Sequence, residues 1–184
     1  AIRKVCTKYD MPLFIDGARL GYALTATGND VTLEDIARIA DVFYIGGTKV
    51  GAMFGEAVVF THGNMPKNFV TLVKQHGALL AKGWLLGVQF DTLFTDDLYC
   101  RIARHANDAA DRIREVLVER GYTLTFDAPT NQIFITLDNA TSGRLQRNVR
   151  LGFMEKADDT HTVMRICTSW ATTDEQVEQL IALL

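Results

Sequence analysis

The chain contains 184 residues, 48% of them hydrophobic, and its net charge is −3. This size and composition predict one substantial globular domain or two small ones, and they exclude an intrinsically disordered chain. There is no basic stripe with interleaved aromatic residues and no apolar run long enough to span a membrane, so neither nucleic acid nor a membrane is predicted as a partner.

The three cysteines, Cys6, Cys100 and Cys167, are odd in number and widely spaced. This pattern fits neither a disulfide framework nor a metal-binding motif, so we predict no metal site and a reducing, cytoplasmic location. No stretch has the pattern of a signal peptide. The chain opens at Ala1 directly in a helical pattern, and we therefore expect its start to be a cut and not a natural terminus.

The first part of the chain alternates between helices and short apolar strands. Strands are predicted at residues 13–15, 42–45 and 56–60. Helices are predicted at residues 2–8 and 33–40, and a short helix or loop at residues 20–26. The alternation predicts an α/β fold with a mostly parallel sheet.

The second part of the chain begins with helices and then changes character. Helices are predicted at residues 67–80, 85–94 and 98–121. The middle one is apolar on nearly all sides, as expected of a helix buried in a core or an interface. Short strands and helices follow, with strands predicted at 123–126, 132–137 and 161–168 and helices at 142–149 and 174–184. We therefore predict two domains, residues 1–110 and a small α+β domain of residues 111–184.

Two neighbouring predicted strands each end near an ionisable side chain. Asp16 follows the strand at residues 13–15, and Lys49 follows the strand at residues 42–45 and a turn that contains two glycines. Because the carboxyl ends of parallel strands meet at one edge of a sheet, we expect the two side chains to converge on one ligand. Taken singly, an aspartate in such a position more often caps a turn or helix, and a lysine is more often a solvated loop residue.

A carboxylate and a lysine that approach one aromatic ring are the groups that pyridoxal 5'-phosphate requires. The Asp16 carboxylate would keep the ring nitrogen protonated, because a nearby opposite charge raises the pKa of that nitrogen. Lys49 would supply an imine that a substrate amine can displace. The small side chain of Ala18 would let the ring lie flat against the strand end. The pair of residues therefore predicts pyridoxal 5'-phosphate as the cofactor.

Three motifs carry a resemblance to a known family. The stretches Ile15-Asp16-Gly17-Ala18-Arg19-Leu20 and Gly47-Thr48-Lys49-Val50-Gly51 resemble the threonine aldolase family of fold type I pyridoxal-phosphate enzymes, which belongs with the β-eliminating lyases. The stretch Met164-Arg165-Ile166-Cys167-Thr168-Ser169-Trp170 is similar to a late strand of that family. The resemblance covers the whole chain, but only the C-terminal half of a family member. Thr48 and Val50 depart from the serine and glycine of the family pattern, so the resemblance implies the reaction type more firmly than the substrate.

The resemblance implies a role for each matching residue. Asp16 would bind the pyridine nitrogen, Ala18 would lie under the ring, and Lys49 would be the Schiff-base lysine. Arg19 and Arg165 would hold the substrate carboxylate, and Arg19 would also help to bind the cofactor. A bidentate arginine–carboxylate contact fixes geometry as well as charge. From its pattern alone, Arg165 is equally well an edge-strand arginine that pairs with a surface acid.

The resemblance also implies a function and partners. The protein would be an aldehyde-lyase that cleaves L-threonine or a related β-hydroxy-α-amino acid to glycine and an aldehyde. Residues 1–110 would be the second half of the cofactor-binding large domain. The implied partners are the amino acid substrate, further copies in a homodimer or homotetramer, and the N-terminal half of the same enzyme. Two alternatives stay open: a β-eliminating lyase or aminotransferase that uses the same cofactor, and a non-catalytic domain that binds a small molecule.

Overall fold

The computed structural model describes residues 1–184, which form two compact units. The first unit comprises residues 1–24 and 29–100, and the second comprises residues 25–28 and 101–184. The division between the units and the predicted boundary at residue 110 both fall within one long helix, Leu98–Glu119. No helix in the chain combines the length and the apolar character that crossing a membrane requires.

The first unit contains a three-stranded sheet in the order β1-β2-β3, with β1 at Phe14–Ile15, β2 at Val42–Gly46 and β3 at Glu56–Phe60. Strands β1 and β2 are parallel, whereas β2 and β3 are antiparallel. The sheet is mixed because the connection at residues 47–55 is shorter than a parallel crossover needs. The predicted α/β class is confirmed.

Five helices accompany this sheet: α1 (Ile2–Lys8), α2 (Leu20–Leu24), α3 (Leu33–Ile39), α4 (Phe69–Gln75) and α5 (Trp84–Phe94). Helix α3 begins at a capping box, in which the Thr32 hydroxyl accepts from the Asp35 N–H and the Asp35 carboxylate accepts from the Thr32 N–H. Such a box satisfies two backbone donors that a helix start leaves free. The capping box therefore fixes the residue at which helix α3, part of the connection between β1 and β2, begins.

Helix α4 ends earlier than its apolar pattern predicts. The prediction extended it to residue 80, but the last helical residue is Gln75. Gly77 has a φ of 70°, a left-handed conformation that glycine adopts without strain. The Ala78 N–H then donates to the Val73 carbonyl at 2.9 Å, which closes the helix end. The predicted extension was therefore wrong because the glycine ends the helix.

Helix α5 is confirmed at its predicted position, but its apolar side chains are not buried within the first unit. Only Leu93 is buried, whereas Trp84 is 64% exposed and Val88 is 52% exposed. Of the two explanations that the sequence offered for this apolar helix, a buried core and an interface, the exposed side chains favour the interface.

The second unit packs three helices on a four-stranded antiparallel sheet with the strand order β4-β5-β7-β6. A short 3-10 turn (Thr95–Asp97) precedes the long helix α6, Leu98–Glu119. The remaining elements are β4 (Thr123–Leu124), β5 (Gln132–Asp138), α7 (Asn139–Leu145), β6 (Gly152–Lys156), β7 (His161–Cys167) and α8 (Asp174–Leu183). The core lies between α6 and the sheet, and its largest fully buried side chains include Ile113, Leu117, Ile133, Ile135 and Met164.

Two elements of this unit differ from the sequence prediction. Strand β6 was not predicted, because it lies at the sheet edge with four of its five residues exposed and so lacks an alternating pattern. Helix α7 was predicted at residues 142–149 but begins at Asn139. It begins early because the Asp138 carboxylate accepts hydrogen bonds from the N–H groups of Ala140 and Thr141.

Candidate functional site

Asp16 and Lys49 lie at the same edge of the sheet in the first unit. Asp16 directly follows β1, and Lys49 stands in the turn that follows β2. Since β1 and β2 are adjacent and parallel, both strands end at that edge. The two side chains are close enough for the lysine charge to act on the carboxylate, yet they form no ion pair. Both groups therefore stand at the sheet edge at which the sequence predicted them.

The two oxygens of the Asp16 carboxylate have different surroundings. Oδ1 accepts a hydrogen bond from the Ala18 N–H at 3.0 Å and a second from the Tyr44 hydroxyl, whereas no hydrogen bond reaches Oδ2. The Tyr44 contact, followed by the Ala18 contact and the charge of Lys49, lowers the pKa of Asp16 below its ordinary value. The carboxylate is therefore ionised at neutral pH and keeps one oxygen available to a ligand.

Tyr44 is a site residue that the sequence reasoning missed. Phe14 pairs with Val42 and Ile15 with Phe43, so continuing this parallel register places Asp16 beside Tyr44. The contact with Asp16 is also the main cause that raises the pKa of Tyr44 to about 12. A register count between residues 14–16 and 42–44 could have found it, because neighbours across two parallel strands share one face.

Two glycines let the segment after β1 pass directly over the end of β2. A β-carbon at Gly46 would lie 2.5 Å from the Ala18 carbonyl oxygen, closer than any side chain tolerates. The Gly46 N–H donates to the Gly17 carbonyl at 2.9 Å, which joins the two strand ends. Gly17, which lies against the Tyr44 carbonyl, and Gly46 thus permit a close backbone crossing between the aspartate loop and the end of β2.

The Lys49 backbone is held in place while its side chain is exposed. The Val50 N–H donates to the Gly47 carbonyl at 2.9 Å, and the Val50 side chain is fully buried beside it. From the other side, the Tyr22 hydroxyl donates to the Lys49 carbonyl. The buried Val50 and Tyr22 thus fix the position of the Lys49 backbone, whereas the side-chain amine of Lys49 is exposed and accessible to a ligand.

Tyr99 connects the end of β2 to helix α2. Its hydroxyl donates to the Gly46 carbonyl at 2.9 Å and accepts from the Gly21 N–H at 3.1 Å. The residue is only 1% exposed, and this burial raises the pKa of its phenol. Because the hydroxyl stays neutral, it can donate and accept at the same time. It anchors the strand end that precedes the lysine turn.

Ala18 and Arg19 lie half-buried in the same loop as Asp16. Ala18 contributes its N–H to the carboxylate, and its side chain is small enough to leave the loop surface open. The Nε atom of Arg19 is buried and has no hydrogen-bond partner. A buried guanidinium donor without an acceptor is unusual, and an anionic ligand would satisfy it.

Arg165, the remaining predicted site residue, belongs to the second unit. It lies on β7, an inner strand of its sheet, between the buried residues Met164 and Ile166. Alternation along the strand therefore places Arg165 on the face opposite the core. One guanidinium nitrogen donates to the Gln132 amide oxygen at 3.2 Å. The edge-strand position and the surface-acid pairing considered from the sequence were therefore both wrong.

Two solved structures are similar to this chain in fold. A threonine aldolase from Leishmania major superimposes with a TM-score of 0.94 and 40% identity, over 99% of this chain and 53% of that one. A serine palmitoyltransferase from Sphingomonas wittichii superimposes with a TM-score of 0.66 at 17% identity, over 99% of this chain and 48% of that one. The second likeness shows a shared fold.

Sequence comparisons place the chain more narrowly. A low-specificity L-threonine aldolase from Pseudomonas aeruginosa is 29% identical over 181 residues, which are 98% of this chain and 51% of that protein. The chain thus spans about half the length of the relatives that it matches. The model of the beta-eliminating lyase family matches residues 1–140. The chain belongs to the beta-eliminating lyase family.

Proposed function

We propose that the complete protein is a pyridoxal-phosphate-dependent aldehyde-lyase that cleaves L-threonine or a related β-hydroxy-α-amino acid to glycine and an aldehyde. The observation that carries the proposal is the position of Asp16 and Lys49 after the ends of two adjacent parallel strands. The relatives named L-threonine aldolase support the choice of reaction.

The residues at this edge fit the cofactor. The unbonded Oδ2 of Asp16 suits a protonated ring nitrogen, and the exposed amine of Lys49 suits the cofactor aldehyde. The partnerless Nε of Arg19 suits an anionic group of the cofactor or the substrate. Ala18 presents only a methyl group to a ring lying on the loop. When bound, pyridoxal phosphate would supply a ring that withdraws electrons from the bond that breaks at the α-carbon.

Each residue has a definite task in this proposal. Asp16 would hold the protonated ring nitrogen, because its carboxylate stays ionised. Lys49 would supply the amine that holds the cofactor aldehyde. Arg19 and Arg165 would hold the substrate carboxylate, and a carboxylate fixed in this way leaves the bond to the β-carbon as the one that the cofactor would activate.

The proposal extends to organisation and location. The first unit belongs to the cofactor-binding domain predicted for residues 1–110, and the second unit belongs to the small C-terminal domain predicted for residues 111–184. The complete enzyme acts in the cytoplasm as a homodimer or homotetramer. The exposed apolar side chains of helix α5 support an assembly, since such a surface favours contact with another protein surface.

Borohydride trapping of the complete protein tests the proposal. After incubation with pyridoxal phosphate and reduction, peptide mapping is expected to find the label on Lys49. The Lys49→Arg variant should carry no label, whereas Lys82→Arg, a control at another exposed lysine in a turn, should be labelled fully. Label on a different lysine, or none, would contradict the proposal.

Product analysis of the complete protein tests the reaction type. With L-threonine, acetaldehyde and glycine are expected, and release of ammonia would favour β-elimination instead.

A further inference from the structure

The Asp16 carboxylate is fixed through one of its two oxygens. The Tyr44 hydroxyl and the Ala18 N–H both donate to Oδ1, and Oδ2 has no donor. Ala18 lies two residues along the same loop, so its hydrogen bond is local. Tyr44 lies on the neighbouring strand β2, so its hydrogen bond is the one that ties the carboxylate to the sheet. The orientation of the carboxylate therefore depends on Tyr44.

A competing attraction acts on the same carboxylate. Lys49 lies at the same edge of the sheet, and its charge acts on Asp16. Asp16 and Lys49 are both exposed, so neither is confined by packing. Without the hydrogen bond from Tyr44, the exposed carboxylate could rotate towards Lys49 and form an ion pair with it. Neither group would then be available to a ligand. The hydrogen bond from the Tyr44 hydroxyl opposes that rotation.

We propose that Tyr44 is a positioning residue, whose hydroxyl holds Asp16 so that Oδ2 stays available to the ring nitrogen of pyridoxal phosphate and does not pair with Lys49. The inference rests on the proposed function, because it assigns Oδ2 to that nitrogen. It adds a residue that neither the three sequence motifs nor the spacing of Asp16 and Lys49 indicates.

The chemistry of the tyrosine supports this role. Its pKa is raised to about 12, by the hydrogen bond to Asp16 first and by the charges of Asp16 and Glu56 in addition. The phenol therefore keeps its proton, and remains a donor, throughout the neutral and mildly alkaline range. The ring is also fixed, since Tyr44 lies at the centre of β2 with its centroid 6.0 Å from that of Phe14. A fixed neutral donor can orient an anion without replacing its charge.

A cofactor analogue isolates the proposed effect. In the analogue a carbon atom replaces the ring nitrogen of pyridoxal phosphate, so it offers nothing for Oδ2 to bind. The dissociation constants of both compounds are measured by fluorescence for the complete protein and for Tyr44→Phe, Asp16→Asn and Tyr9→Phe. Tyr9→Phe is the matched control, because Tyr9 is exposed at the end of helix α1, lies outside the site motifs and undergoes the same loss of one hydroxyl.

The ratio of the two dissociation constants reports the nitrogen contact, and a general loss of structure would affect both compounds alike. Asp16→Asn is expected to abolish the preference for pyridoxal phosphate, Tyr44→Phe to reduce it by roughly three- to tenfold, and Tyr9→Phe to leave it unchanged. A preference that Tyr44→Phe leaves unchanged or increases, while Asp16→Asn abolishes it, would overturn the role of Tyr44 alone. If the unsubstituted protein shows no preference, both this inference and the assignment of Asp16 are overturned.

Discussion

A β-carbon at residue 17 would stand 1.7 Å from the main-chain oxygen of Tyr44. No side chain fits there, so the loop that carries Asp16 lies directly against the backbone of β2. The contact explains why the aspartate is followed by glycine: a larger residue would lift the carboxylate away from the tyrosine that holds it. Local backbone geometry and the orientation of the site are therefore linked at this one position.

Gly17→Ala tests that close approach. The added methyl group clashes with backbone atoms that cannot move independently, so the substitution is expected to lower the free energy of unfolding by about 2–3 kcal/mol. The measurement is urea denaturation followed by circular dichroism. Gly143→Ala is the matched control, because a β-carbon at this position in helix α7 meets no atom within 4 Å. It should be neutral or stabilising by about 0.5–1 kcal/mol, and equal losses for both variants would contradict the argument.

Tyr99→Phe removes both hydrogen bonds that join the end of β2 to helix α2. The site is closed to water, so the Gly46 carbonyl loses a donor that solvent cannot replace. The expected loss is about 1–3 kcal/mol in the free energy of unfolding, measured by urea denaturation. The exposed Tyr9 provides the comparison, since Tyr9→Phe should change the same quantity by less than about 0.5 kcal/mol. A Tyr99→Phe variant as stable as this control would show that the hydroxyl is dispensable.

The raised pKa of Tyr44 predicts when its phenol ionises. At about pH 11 an ordinary tyrosine is mostly ionised, but a group with a pKa of about 12 is mostly neutral. Because the folded-state pKa is raised, the contribution of this tyrosine to stability is fully present below about pH 10 and is lost as the pH rises through about 12. The difference in ultraviolet absorbance between the protein and its Tyr44→Phe variant follows this ionisation.

Asp16→Asn should move that ionisation towards lower pH. The substitution removes the negative charge, which is the partner that opposes ionisation of the phenol. Glu56 remains, so the pKa should fall towards the ordinary value without fully reaching it. A titration of Tyr44 that is the same with aspartate or asparagine at residue 16 would show that the two side chains are not in contact in solution.

The sequence predicted the strand ends well, because the signals there are local. Two short apolar runs stop at glycine-containing turns, and each turn is followed or preceded by one ionisable group, so Asp16 and Lys49 could be placed at one sheet edge before the structure was known. At these strand ends the prediction and the structure agree, whereas the end of α4 at Gly77 and the start of α7 at Asp138 were misplaced.

Tyr44 and strand β6 could not be found in that way. The role of Tyr44 depends on the register between β1 and β2, which is a relationship between residues 28 positions apart. Strand β6 is defined by pairing with β7 and has four exposed residues, so its sequence carries no period. For the apolar helix α5 the composition indicated burial on all sides, but the first unit covers only part of it, and Trp84 and Val88 stay exposed. These features depend on tertiary partners and not on local preference.

Arg165→Lys separates a binding role from a structural one. The guanidinium lies on the sheet face opposite the core and donates to Gln132, so replacing it should change the free energy of unfolding by less than about 1 kcal/mol. If Arg165 holds the substrate carboxylate, lysine keeps the charge but loses the bidentate contact. In the complete protein, the KM for L-threonine is then expected to rise roughly 10- to 100-fold, while cofactor affinity stays unchanged.

The control for this substitution is Arg147→Lys, which changes an exposed arginine of the same unit in the same way. Steady-state kinetics and urea denaturation are measured for both variants. A rise in KM for Arg165→Lys alone, without loss of stability, assigns the arginine to the substrate, because a merely structural arginine would lower stability and leave KM alone. If both variants keep the KM of the unsubstituted protein, the carboxylate is held elsewhere, and Arg19, whose buried Nε has no partner, becomes the residue to which that role falls.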